Sequence, residues 1–339
     1  MSHPLVQFQE VKKHFPVKRS MVEGLVGVKP KYVRAVDGVS ISIDEGEVFV
    51  LVGESGSGKT TLGKLGLRVY VPTSGKIIFD GQPIAGLRGK ELKAFRRSSQ
   101  MVYQDPVAAL NPRVRVGDAI AEPLKFHGMG TADERRDVAF KMMRRVGFDP
   151  PEEFYPRFPH ELSGGQRQRV VIARALVLGP KFVVADEPVA MLDVSIRAQI
   201  LKLLLDLKNE MNLTLLIITH DIAIAKYFAD HVGIMYLGKI VESAEREKIF
   251  RNPMHPYTKA LFSSVPVPDP EAVRDRMIIK GEIPSPISPP PGCRFHTRCP
   301  FVFDRCRTEE PPLVPREDSH LVACHLYDTP GSLPRPGSA

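Results

Sequence analysis

The 339 residues contain no apolar run approaching the ~20 needed to cross a bilayer. No positively charged start followed by an apolar core marks a signal peptide, so the chain reads as cytosolic. Cysteine is scarce. There are four, and all fall within the 32 residues from Cys293 to Cys324. In a cytosolic chain so tight a group argues for a metal site over disulfides. The paired C-x2-C of common zinc modules is missing, the spacing being C-x5-C-x6-C-x17-C. Four thiolates suit either tetrahedral zinc or a [4Fe–4S] cluster, with free buried thiols the remaining reading. Also missing is a basic array interleaved with aromatics, so the net charge of +8 gives no support to nucleic-acid binding. Lys12, Lys13, Lys18, Arg19, Lys29, Lys31 and Arg34 crowd near the start, as a solvated basic face or one drawn to anionic headgroups. The composition, 43% hydrophobic and 25% charged, is ordinary for a globular protein, and the length allows about two domains.

What is present begins with Val48–Val52, an apolar run of strand length suited to a parallel strand buried on both faces. Gly53-Glu54-Ser55-Gly56-Ser57-Gly58-Lys59-Thr60 follows and fits G-x-x-x-x-G-K-[ST]. Its glycines let the backbone turn tightly, so that successive N–H groups face phosphate oxygens. A helix starting near Lys59, with Thr61 in its first turn, adds its N-terminal dipole and donors. Lys59 is placed to reach the β- and γ-phosphates, and the Thr60 hydroxyl to ligate Mg²⁺. Gly53 through Thr61 is therefore the expected ATP-binding set.

A second apolar run, Phe182–Ala185, ends in Asp186 and Glu187. Two acids at a strand end can simply cap the next helix. With a phosphate loop upstream, Asp186 instead reads as the Mg²⁺ ligand, and Glu187 as the general base that polarises the attacking water. Between these runs lies Leu162-Ser163-Gly164-Gly165-Gln166. Ser163 is a good N-cap for a helix to about Leu178, whose Val170, Val171, Ala173, Ala175 and Leu176 favour burial of one side. Helix dipole, N–H groups and hydroxyl all point at an anion.

From about residue 5 to 325 the chain resembles the ATP-binding cassette (ABC) family. The resemblance implies an α/β P-loop NTPase of RecA-like type, with an antiparallel β layer and a helical subdomain. It also implies that Ser163, Gly164, Gly165 and Gln166 contact a γ-phosphate held by a second ATPase subunit, in a head-to-tail dimer. Gln104 in Tyr103-Gln-Asp-Pro looks like the Q-loop residue that touches Mg²⁺. Ala190-Met-Leu-Asp193 sits where the family has its D-loop, departing from Ser-Ala-Leu-Asp at 190 and 191 while keeping Asp193. His220, in Thr-His-Asp, matches the switch histidine. Phe15 aligns with the aromatic on which adenine stacks, with Tyr32 the competing ring.

Punctuation supplies the organisation. Residues 5–47 and 75–82 read as short strands, with turns at Asp37-Gly38, Glu45-Gly46 and Asp80-Gly81. The stretch 89–170 reads as helix-rich and corresponds to the subdomain that receives a coupling helix of a membrane subunit in the family. Ser195–Met211 reads as an amphipathic helix with Ile196, Ile200, Leu203, Leu204 and Leu207 on one face. Pro284–Pro291 reads as a stiff extended linker.

Phe250–Leu261, with His255-Pro-Tyr257, resembles the C-terminal extension of the oligopeptide/dipeptide/nickel branch. That resemblance favours a [4Fe–4S] cluster on Cys293, Cys299, Cys306 and Cys324 over zinc. The expected layout is a cassette over 5–250 with its helical subdomain at about 89–170, a small Cys-rich extension over 251–326, and a disordered tail over 327–339. Residues 290–326, short and Pro-rich, are expected to lack apolar material for a core of their own. The implied function is ATP hydrolysis energising a peptide importer, at the cytoplasmic face of the membrane. Two integral-membrane permeases and, indirectly, an extracytoplasmic binding protein are the implied partners. Oligosaccharide or nickel cargo is the alternative. A soluble cassette acting on nucleic acid is disfavoured, since the 102 residues between Lys59 and Leu162 leave no room for a coiled-coil insertion.

Overall fold

A computed structural model of the chain describes residues 4–17, 30–263, 277, 279, 281–317 and 319–328. Of the tail expected over 327–339, residues from 329 onward lie outside the described residues, whereas Tyr327 ends a short 3-10 turn; Lys18, Arg19 and Lys29 of the basic group also lie outside. In chain order the strands among the described residues are β1 (Pro4–Pro16), β2 (Tyr32–Asp44), β3 (Val48–Val52), β4 (Ser74–Phe79), β5 (Gln82–Pro83), β6 (Ser99–Val102), β7 (Phe182–Asp186), β8 (Thr214–Thr219), β9 (His231–Tyr236), β10 (Lys239–Glu245), β11 (Val314–Glu317) and β12 (His320–Val322). The chain divides into two compact units. One is built mainly on 79–218 with a short piece at 43–48, the other on 6–42, 49–78 and 219 onward.

In the first unit β6, β7 and β8 run parallel, with Ser99 opposite Phe182 and Phe182 opposite Thr214. Every residue of β7 and β8 is buried, which is why both read as unbroken apolar runs instead of alternating ones. The helices Gly89–Ser98, Val116–His127 and Ala132–Arg145 occupy the stretch expected to be helical. Ala132–Arg145 starts at a capping box, Thr131 and Glu134 each accepting the other's backbone N–H. In the helix Gly164–Leu176 the five expected apolar positions are all buried. The helix Val194–Met211 buries Ile200, Leu201, Leu204 and Leu207, whereas Leu203 is only half-buried. The apolar stripe is thus rotated from the expected one, and Leu203 lies on its margin.

In the second unit β2, β1 and β4 are neighbours in one sheet. β1 and β2 are thirteen residues each, longer than expected, because Asp37-Gly38 does not end a strand. Gly38 takes φ +84° within β2, and Asp37 N–H donates to the Gly238 carbonyl at 2.9 Å. The other sheet of this unit runs β11-β12-β10-β9-β3. β3 and β9 are parallel, while β9 and β10 form a hairpin whose two-residue turn, Leu237-Gly238, has positive φ at both positions.

The tail departs from expectation. β12 pairs with β10, Glu242 opposite Val322, and β11 pairs with β12, so Val314–Glu317 and His320–Val322 extend the sheet. Met254, Val322, Cys324 and Leu326 form an apolar cluster with Phe301 and Tyr327 packed against it. The cluster draws Met254 from outside residues 290–326, so that segment packs with help from a stretch about 70 residues upstream. The Pro-rich stretch is not an extended linker either. It turns at Pro286-Ile287, and the Pro286 carbonyl accepts the Arg34 N–H at 3.0 Å.

Candidate nucleotide site

The phosphate loop lies in the second unit. Gly53 has no room for a side chain, since a Cβ there would fall 2.2 Å from the Met235 carbonyl oxygen. Gly58 combines φ +108° with a Cβ position 2.0 Å from the Ala35 carbonyl oxygen, and Gly56 takes φ +78°. Gly53 and Gly58 carry the loop against β9 and β2, and Gly56 supplies a turn. The helix Lys59–Gly66 begins at Gly58 with no side chain capping it, so its N-terminal donors point into the loop. Lys59 is 5% exposed. Its Nζ donates to the carbonyls of Gly53 (2.7 Å) and Glu54 (2.9 Å) and lies 3.4 Å from Ser57 Oγ. A buried ammonium, an uncapped helix start and a Gly-rich cradle together fit a polyphosphate. Ser55 is exposed on the loop, and Thr60 and Thr61 are half-buried in the first helical turn. His220 is also in this unit, exposed directly after β8. Phe15 packs edge-on against Tyr70, ring centroids 5.3 Å apart, with Lys13 Nζ 5.0 Å from its centre, and Tyr32 is exposed.

The carboxylates lie in the first unit. Asp186 is buried at the end of β7. Glu187 follows in the left-handed region, φ +45°, its N–H bonded to the Ile218 carbonyl at 2.9 Å. The structure brings Gln104 to it: the Gln104 amide donates to Glu187 Oε2 at 3.0 Å. Ser163 caps the helix Gly164–Leu176 as expected, its Oγ accepting Gln166 N–H at 3.2 Å while Gln166 Oε1 accepts Ser163 N–H at 2.9 Å. Gly165 has a reason that the sequence did not display, since a Cβ there would sit 2.8 Å from Ile196 Cγ2. Asp193 precedes the helix Val194–Met211, and Met191 is 62% exposed.

Several groups missed by sequence reasoning belong to the C-terminal segment. Tyr257, fully buried, accepts the Glu54 N–H at 3.0 Å, and Arg298 makes a two-pronged bond to the Glu54 carboxylate. His255 is buried and its pKa falls to about 4 because burial penalises its charged form. Its neutral Nδ1 accepts the Tyr257 N–H at 3.0 Å. Glu242, wholly buried, accepts the N–H groups of Met254 and His255, both at 2.8 Å, and pairs with His320 Nε2 at 2.7 Å. An isolated Glu in the middle of β10 is the one signal that could have marked this network.

Among the described residues no three His, Cys, Asp or Glu side chains are grouped to hold a single metal ion. That arrangement supports neither the zinc nor the [4Fe–4S] expectation for the four cysteines. The thiols are nonetheless neighbours. Burial raises Cys293 to about 11 and Cys299 to about 12, and a thiolate at Cys324 would feel those of Cys293, Cys299 and Cys306. Cys293 N–H donates to the Cys306 carbonyl at 2.9 Å, and Cys306 and Cys324 are buried.

Residues 36–190 match the family model described as ABC transporter, and residues 241–306 match that of the oligopeptide/dipeptide transporter C-terminal region. The oligopeptide transport ATP-binding protein AppF of Bacillus subtilis is 47% identical over 95% of this chain and 97% of its own length. A relative from Sinorhizobium fredii, named a probable peptide ABC transporter ATP-binding protein, is 47% identical over 96% of this chain and 91% of its own. Among solved structures, a dimeric ATP-binding cassette in a post-hydrolysis state with ADP and phosphate is 30% identical, with a TM-score of 0.60 over 71% of this chain and 98% of that one. The structure of cbiO1 from Clostridium perfringens, part of the ABC transporter complex cbiONQ, is 29% identical, with a TM-score of 0.62 over 74% of this chain and 91% of its own.

Proposed function

The chain belongs to the ATP-binding subunits of the ABC transporter family, in its oligopeptide/dipeptide branch, and from that premise we propose that it hydrolyses ATP to energise a peptide importer. The observation that carries the reading is the phosphate loop with its buried Lys59 and uncapped helix start, in a chain whose C-terminal segment matches the peptide-transporter extension.

In this reading Lys59 and the loop N–H groups would hold the β- and γ-phosphates, Phe15 or Tyr32 would stack on adenine, and Thr60, Gln104 and Asp186 would hold Mg²⁺. Mg²⁺ bound there would supply positive charge against the phosphate oxygens. Glu187 polarises the attacking water; the amide of Gln104, bonded to its carboxylate, keeps that oxygen oriented. His220 holds the geometry of water and γ-phosphate. Ser163–Gln166 and Asp193 act across the interface on the nucleotide of a second ATPase subunit.

No helix among the described residues is long and apolar enough to cross a membrane. Peripheral attachment to the cytoplasmic face through two permeases follows from the family reading. A cavity of about 690 Å³ on the helical stretch, lined by Arg115, Asp118, Glu122, Lys125, Arg136 and Tyr155, suits a short polar helix of a permease. Arg174 links this stretch to the helix after Ser163, donating to the Ala109 carbonyl (2.8 Å) and Glu122 (2.7 Å). For the four cysteines the reading is a [4Fe–4S] cluster acting as a structural staple. The layout is a cassette over 5–250 followed by the extension over 251–326. The test is nucleotide binding and Mg²⁺-dependent ATP hydrolysis by the purified chain. Lys59→Ala should weaken nucleotide binding itself, and unchanged affinity would overturn the assignment.

A further inference from the structure

Two side chains of the C-terminal segment grip the second residue of the phosphate loop. Arg298 Nη1 donates to Glu54 Oε2 at 2.8 Å and Nη2 to Oε1 at 3.2 Å, a fork-on-fork pair. The Arg298 side chain is 9% exposed and that of Glu54 26%, so water screens the pair only partly. The Glu54 N–H donates to the Tyr257 hydroxyl at 3.0 Å. Neither support is loose. Arg298 lies 5.9 Å over the Tyr236 ring, which packs on Tyr257 and Phe295 at centroid distances of 4.8 and 5.3 Å.

The same short loop has a second hold. Arg294 donates to the Leu237 carbonyl and to Asp37, and the next residue along, Gly238, donates its N–H to the Ser57 carbonyl at 2.8 Å. Residues 293–299 thus brace the phosphate loop at Glu54 directly and at Ser57 through the β9–β10 turn. The charge balance gives the brace its purpose. A loop shaped for a polyanion carries its own carboxylate at Glu54, and without a counter-ion that charge opposes the incoming phosphates.

We propose that the loop Cys293–Cys299 is a positioning element of the nucleotide site, in which Arg298 neutralises and orients Glu54 so that affinity for polyphosphates is set from the C-terminal extension. The proposal rests on the reading of Gly53–Thr60 as the phosphate loop and needs no metal at the cysteines. Arg298 itself touches no substrate; it acts through Glu54.

The test is equilibrium binding of ATP, ADP and adenosine to the purified full chain, comparing wild type, Arg298→Ala, Arg298→Lys, Glu54→Gln and the double variant Glu54→Gln/Arg298→Ala. A charge-assisted pair of this kind is worth a factor of about ten or more. Arg298→Ala should therefore weaken ATP about tenfold, ADP less, and adenosine not at all. Arg298→Lys, which keeps the charge and loses the fork, should recover part of the loss. In the Glu54→Gln background the same Arg298→Ala change should cost under twofold. Equal ATP affinity in Arg298→Ala would overturn the proposal. So would equal losses for ATP and adenosine, which mark general damage, or an undiminished loss in the Glu54→Gln background. A wild-type chain that binds no ATP would instead overturn the phosphate-loop reading beneath it.

Discussion

Removing the His320 imidazole should unfasten the extension from β10. Glu242 is 0% and His320 1% exposed at the side chain, and Nε2 stands 2.7 Å from Oε1. The same carboxylate accepts the N–H groups of Met254 and His255 and so serves as a cap for the helix Pro256–Ser263 from outside it. Breaking a buried pair by deleting one partner costs about 3–5 kcal/mol. Two backbone donors stay on Glu242, so the low end, about 3 kcal/mol, is expected for His320→Ala. Since 1.4 kcal/mol is a factor of ten, local opening should become roughly a hundredfold more frequent. Hydrogen exchange read by mass spectrometry resolves this without assuming that the whole chain unfolds in one step. Peptides covering Met254–Ser263 and His320–Asp328 should exchange about a hundredfold faster, while those covering Phe182–Asp186 hold their rate. Unchanged exchange near Met254, or equal acceleration everywhere, would refute the reasoning.

The buried His255 supplies a pH dependence. Its folded pKa of about 4 lies below the ordinary 6.5, so the unfolded chain takes up a proton that the folded one refuses as pH falls between 6.5 and 4. Stability present above pH 6.5 should be lost across that window, by about 3 kcal/mol in full, and His255→Asn should flatten that limb in acid-induced unfolding. Gly165→Asp should leave ATP binding to the isolated chain intact but abolish dimerisation and hydrolysis, by packing against Ile196 and by facing a γ-phosphate with a carboxylate; loss of binding in the monomer would place this loop in its own site. Anaerobically purified chain should be brown, absorb broadly near ~400 nm and carry about four irons, as a [4Fe–4S] cluster requires. Cys299→Ser or Cys306→Ser should bleach it and speed exchange over residues 290–326. One zinc and no iron would replace the cluster, and no metal would remove it.

The parts of the site legible in the sequence are those whose chemistry is local. Gly53, Gly56 and Gly58 precede Lys59 because the backbone must take positive φ or meet a carbonyl within 2.2 Å, and such demands admit glycine alone. Ser163 and Gln166 cap each other three residues apart, a spacing readable without coordinates. The buried parallel strands announced themselves as unbroken apolar runs. What escaped the sequence is long-range. Glu54 looks like a spacer within its motif, yet its two partners stand 203 and 244 positions away. Val314–Glu317 and His320–Val322 look too short and too rich in charge and proline to form a sheet edge, and they become one because β10 offers them its unpaired side. Gly165 was assigned to phosphate approach alone, whereas the first turn of the helix Val194–Met211 also demands it.

The central claim is that Glu187 acts as the base in an ATPase completed by a second subunit, and Glu187→Gln tests it most directly. The substitution keeps the shape and the reach of the side chain to Gln104 while removing the base. Mg²⁺-ATP hydrolysis should fall roughly 10²–10⁴-fold, nucleotide affinity should persist, and ATP should trap a dimer on gel filtration. Hydrolysis near the wild-type rate, or a chain that stays monomeric with ATP bound, would contradict the account.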